Sequence, residues 1–99
     1  MPKLIHLYKS TDGKHKYEAL FKQDNGRTKT VKFGAKNMQD YTLFNANERD
    51  NHKTLYLARH SARENWNDPM TAGSLSRWIL WNKSTIEESL TDYRHRFNL

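Results

Sequence analysis

The stretch from Lys16 to Phe33, KYEALFKQDNGRTKTVKF, decides the fold. Tyr17, Ala19 and Phe21 alternate with Lys16, Glu18, Leu20 and Lys22, the two-residue period of a strand with one buried face. Asp24-Asn25-Gly26 then supplies residues that tolerate positive φ, after which Val31 and Phe33 alternate with Thr30 and Lys32. The pattern predicts a β-hairpin whose buried face carries Tyr17, Ala19, Phe21, Val31 and Phe33. Lys16, Lys22, Arg27, Lys29 and Lys32 are left on or near the wet side, as a basic sheet face. On the N-terminal side, Leu4, His6 and Tyr8 fall on one side of a short strand and Ile5 and Leu7 on the other, before the turn signal Thr11-Asp12-Gly13.

Beyond the hairpin, Gly34 ends the third strand, and the next dozen residues have no clear period, although Met38, Tyr41, Leu43 and Phe44 anchor them as an ordered loop. From Asn47 to about Ala62 the spacing is helical. Asn51, Leu55, Ala58 and Ala62 share a narrow apolar arc, and the opposite arc gathers His52, Lys53, Tyr56, Arg59, His60 and Arg63. This helix is therefore expected to turn a cationic and aromatic face away from the core. After a turn over residues 64–69, Asp68, Thr71 and Ser74 compete to start a short, mostly buried helix carrying Leu75, Trp78, Ile79 and Asn82, with Trp81 beside Trp78. Ser84-Thr85-Ile86-Glu87 reads as a capping box that opens a last helix through Ile86, Leu90, Tyr93 and Phe97. In that helix Glu87, Glu88 and Asp92 precede Arg94, His95 and Arg96, the order that complements its dipole. Strands first and helices second predict a single α+β domain over residues 1–99: a small antiparallel sheet, the N-terminal strand plus the hairpin, packed on about three C-terminal helices.

Composition narrows the function classes. Ninety-nine residues allow one domain, and a hydrophobic share of 35% with mean hydropathy −1.06 gives a polar chain with a small core built from its 12% aromatics. No apolar run approaches the roughly 18 residues of a membrane span, and the N-terminus is too short in apolar residues for a signal peptide, so an intracellular soluble protein without membrane contact is expected. The absence of cysteine excludes disulfides, thiolate nucleophiles and cysteine-ligated metals. Seventeen Lys and Arg against eleven Asp and Glu give +6, a balance suited to acidic partners.

Catalytic and cofactor signals are missing. His52 and His60 lie eight residues apart with no partner at ligand spacing, most carboxylates sit at helix starts, and Ser61, Ser74 and Ser76 lack a nucleophile-elbow setting. No enzyme, cofactor, metal or small-molecule substrate is expected. Two basic clusters remain as candidate nucleic-acid contacts: Arg27, Lys29 and Lys32 on the hairpin, and Lys53, Tyr56, Arg59, His60 and Arg63 on the helix, where cations pair with phosphates and rings stack on bases. Trp66, in a turn, reads either as a core-edge residue or as an anchor for a protein partner.

The ordered set VKFGA, the DYT tripeptide, the Arg59-His60 pair, Thr71-Ala72-Gly73, Trp78-Ile79-Leu80-Trp81-Asn82 and the closing helix resembles a family of small uncharacterised proteins encoded by giant double-stranded DNA viruses, over nearly the whole chain. That family has no assigned activity. The resemblance implies a protein at work in the cytoplasm or nucleus of an infected host, or packaged in the virion. With the charge, it leads to the expectation of a non-enzymatic protein binding DNA or RNA through backbone phosphates without sequence specificity. The alternative is a structural or interaction protein of the particle, such as a minor capsid component, that binds virion proteins through Trp66, Phe44 or Tyr41. Asp40, Tyr41, Arg59, His60, Asn65, Thr71, Gly73 and Asn82 are not explained by the hydrophobic period. A turn cap, close packing and a helix end account for Asp40, Gly73 and Asn82, whereas Arg59 and His60 have no obvious local role.

Overall fold

The computed structural model describes residues 2–99; Met1, the first residue of the expected domain, lies outside them. The fold is α+β. Three strands, β1 (Lys3–Lys9), β2 (His15–Lys22) and β3 (Thr28–Ala35), form an antiparallel sheet in the order β1-β2-β3. The helices follow as α1 (Arg49–His60), α2 (Ala72–Leu75), a π-helical turn (Ser76–Leu80) and α3 (Ile86–Phe97).

The hairpin forms as its pattern dictates. Tyr17 pairs with Phe33 and Ala19 with Val31; Ala19, Phe21 and Phe33 are buried, and Tyr17 and Val31 pack half-buried against them. At the turn, Gly26 sits at φ +82° and donates to the Gln23 carbonyl, while the Asn25 side chain accepts from Arg27 N–H. That is the geometry for which an Asn-Gly pair is suited.

β1 departs from strict alternation. The register shifts between Leu4 and His6, so that Leu4 lies opposite Phe21 and Leu7 opposite Ala19. Leu4 and Leu7 thereby share the inner face although they are three residues apart, and His6 stacks on Tyr8 at 5.5 Å on the other side. The expected grouping of Leu4 with His6 and Tyr8 is corrected by this bulge, which a period of two cannot anticipate.

The orientation of α1 is the larger correction. Tyr56, expected to face outward, is buried and stacks on Trp81 at 4.5 Å with the rings 6° from parallel. His52 stacks on Phe44 at 3.8 Å, and Lys53 reaches the Asn82 carbonyl at 3.0 Å. Leu55 is 52% exposed, and Asn51, Ala58 and Ala62 also face solvent. A tyrosine ring offers far more area to bury than an alanine methyl, and lysine can lay its stem inward while its ammonium finds a carbonyl. Area, not the sign of hydropathy, turned the helix.

Thr71 starts α2, its hydroxyl accepting from Ser74 N–H at 3.1 Å. The single helix expected through Asn82 instead widens into the π turn, closed by Trp81 N–H donating to the Ser76 carbonyl. Leu75, Ile79 and Leu80 are all buried as a result. The capping box of α3 is one residue later than expected: Thr85 accepts from Glu88 N–H at 3.1 Å and donates to the Glu88 carboxylate at 3.0 Å. Buried Tyr93 donates to the Pro69 carbonyl at 2.6 Å, and Arg94 donates to the Leu4 carbonyl at 2.9 Å, joining α3 to β1.

Candidate nucleic-acid interface

The expected hairpin cations stay in water. Arg27 and Lys29 are exposed and form no ion pair with a described residue, while Lys32, opposite Glu18, lies 3.6 Å from Asp12. That aspartate also accepts from Lys14 and His15 N–H, and with the His15 side chain these bonds hold its carboxyl well below the usual range.

The α1 candidates separate. Arg59 and His60 line a cavity, Arg63 is exposed, and Tyr56 is spent on Trp81. Burial, with Glu64 nearby, pushes the Tyr56 phenol up to about 12. Trp66 packs half-buried against the core, its carbonyl accepts from Trp78 Nε1, and the Arg77 guanidinium lies 5.6 Å over its ring.

Lys53 belongs to a cluster that the sequence did not reveal. Its ammonium is on the Asn82 carbonyl, and Arg77 donates to the adjacent Trp81 carbonyl at 2.7 Å. Two guanidiniums lie over the Trp78 ring, Arg77 at 4.1 Å and Arg96 at 3.8 Å, an arrangement that engages their faces and leaves N–H donors at the edges. Lys83 completes the group.

The electrostatics are those of crowded cations. Burial, then the charges of Arg77 and Lys83, pull Lys53 below its ordinary value; burial and Arg96 do the same to Arg77. Asp92 resists its own burial and stays below the usual carboxylate range through the Asn82 side-chain hydrogen bond at 2.7 Å and the charges of Arg96 and Lys83. Only Asp92 and Asp50 act favourably on the Lys53 ammonium, and Asp50 already accepts from the Tyr41 hydroxyl at 2.6 Å. Of the four cations, Arg96 pairs with Asp92 at 3.4 Å, Lys83 lies exposed beside Glu88 and Asp92, and Lys53 and Arg77 are half-buried. Among the described residues, neither Lys53 nor Arg77 has a carboxylate within ion-pair distance.

Sequence reasoning found Lys53 and missed Arg77, Trp78, Lys83 and Arg96. Basic residues interleaved with tryptophan in SRWILWNK are the signal, but the helical spacing of Leu75, Trp78 and Ile79 points to a core, and the place of Arg96 in the last turn of α3 points to the helix dipole. Among the described residues, no group of three or more His, Asp or Glu is placed to hold a metal ion, and no helix is long and apolar enough to cross a membrane.

Residues 5–60, from β1 to the end of α1, match DUF5754, a family of unknown function. The chain belongs to this family. Of the four cluster cations, only Lys53 falls inside the DUF5754 match; Arg77, Lys83 and Arg96 follow it in the chain. No curated protein and no solved structure matches the chain.

Proposed function

We propose that this DUF5754 protein is a non-enzymatic nucleic-acid-binding protein that holds DNA or RNA by its backbone phosphates, without sequence specificity, in the giant-virus setting the sequence resemblance implies. The observation that carries this reading is the cation cluster in which Lys53 and Arg77 sit on the Asn82 and Trp81 carbonyls, with Arg96 over Trp78 and Lys83 close enough to act on Lys53. A phosphate there accepts from guanidinium edges already fixed by stacking on Trp78, so little side-chain freedom remains to be lost on binding. Arg27, Lys29 and Lys32 add long-range attraction from the hairpin, and Arg59 and Arg63 from the end of α1. The competing reading is a virion protein anchored to a partner by Trp66, Phe44 or Tyr41; the half-buried packing of all three rings against the core favours it less.

Fluorescence anisotropy with labelled duplex and single-stranded oligonucleotides tests the proposal. The Lys83→Ala/Arg96→Ala double variant, both positions being exposed, is expected to bind roughly tenfold or more weakly at low salt. Equal affinity in wild type and variant contradicts it.

A further inference from the structure

A cavity of about 420 Å³ opens between the end of β3, the Asp40 loop, α1 and α2, and none of the four cluster cations lines it. Its volume lies in the range of small-ligand sites. Tyr56, Leu80 and Trp81 give it an apolar wall, and its polar groups come from separate segments: Lys16, Asp40, Arg59, His60 and Glu64. Lys16 and Asp40 satisfy each other, Nζ to Oδ2 at 2.6 Å, with both side chains largely buried and Asp40 also accepting from Thr42 N–H at 2.9 Å.

Glu64 is different. Its carboxylate makes no hydrogen bond or ion pair with any described residue. It lies against Gly73, where an added Cβ would clash with Oε2, so any side chain at position 73 would drive the carboxylate from its place. A carboxylate that lines a cavity and has no donor among the described residues is available to a ligand, and its two oxygens suit a pair of parallel N–H groups. Arg59, exposed on the same cavity and without an acidic partner among the described residues, suits an anion.

We propose that this cavity binds a guanine nucleotide, the base donating N1–H and N2–H to Glu64 while the phosphate meets Arg59. Guanine alone among the common bases presents two adjacent donors on that edge. Adenine and cytosine set a ring acceptor against the carboxylate, and uracil offers one N–H between two carbonyls. A site built to accept from such donors rejects bases that lack them. An arginine side chain of a protein could also satisfy Glu64, but Arg59, Arg63 and the +6 net charge oppose a basic peptide. The inference goes beyond the backbone reading and does not depend on it, because mononucleotides carry no polymer backbone.

Calorimetric titration with GMP, AMP, CMP, UMP and guanosine tests it, alongside a short oligouridylate with and without a single guanine. GMP is expected to bind at least tenfold tighter than the other nucleotides, and Glu64→Gln and Gly73→Ala are each expected to erase that preference. Arg59→Ala should weaken GMP several-fold and leave guanosine as in wild type. Guanine selectivity seen with the oligonucleotide and not with GMP would assign the base to a bound strand; selectivity with GMP assigns it to the free nucleotide. Selectivity in neither, a preference that survives in a folded Glu64→Gln protein, or Glu64-dependent capture of an arginine peptide overturns the proposal.

Discussion

The hairpin and α1 carry similar cationic stretches, yet the fold treats them in opposite ways. In β2 and β3, aromatic and aliphatic side chains alternate with lysines, so the inward face is unambiguous and Arg27, Lys29 and Lys32 remain in water. In α1 the small apolar residues define one face and the large amphipathic ones the other, and the larger face goes in, with Tyr56 on Trp81 and Lys53 on Asn82. A solvated lysine can find a phosphate but is not held ready for one. Lys53 and Arg77 are held on the Asn82 and Trp81 carbonyls, partly desolvated, and the proposed interface is built on them.

The sharpest way to break this comparison is to remove each face of α1 in turn. Tyr56→Ala is expected to cost about 3–5 kcal/mol in denaturant unfolding, because it removes a ring stacked in the core. The neighbouring Leu55→Ala, at an exposed position, should stay within about 0.5 kcal/mol. The reverse order would mean that the apolar arc faces inward after all.

Where the hairpin meets the helical layer, Gly34 has φ +78° and an added Cβ would lie 2.7 Å from Leu80 Cδ1. Gly34→Ala should therefore cost roughly 2 kcal/mol or more, measured as a fall in Tm. A neutral effect would show that the π turn is not packed on β3 as described.

A smaller effect should appear at high pH. Tyr56 is raised from 10.0 to about 12, so its contribution is complete below pH 10 and is lost as pH rises toward 12, by about 2 kcal/mol. Tyr56→Phe keeps the ring and should flatten this alkaline limb while changing neutral-pH stability by less than about 1 kcal/mol, since the hydroxyl makes no hydrogen bond with a described residue. An unchanged limb would contradict the burial of the phenol.

Much of the fold was legible because its signals are local. The hairpin shows in alternation and an Asn-Gly turn, and α3 in its 4-3-4 spacing. The one-residue displacement of the cap reflects two overlapping solutions in STIEE, both of the S/T-x-x-E form, of which Thr85 with Glu88 is the one adopted. The bulge in β1 and the π turn were hidden because each breaks the period on which such reading depends. The sites were hidden for another reason. Lys53 and Asn82 are 29 residues apart, and Lys16 and Asp40 are 24 apart, so their meeting is a property of packing and not of spacing. Arg59 and His60, which had no local role in the sequence, line the cavity beside α1, His60 with its ring 4.4 Å from that of Tyr56.

The most direct test of the central claim is the salt dependence of oligonucleotide affinity in two double variants, Lys83→Ala/Arg96→Ala and Arg27→Ala/Lys29→Ala. Each lost phosphate contact lowers the slope of log K against log salt by about 0.9 on duplex DNA. The cluster variant should lose nearly two units, and the hairpin variant should lose less, because its cations act mainly at a distance. A full loss of slope in the hairpin variant with none in the cluster variant would contradict the account and move the interface to the sheet.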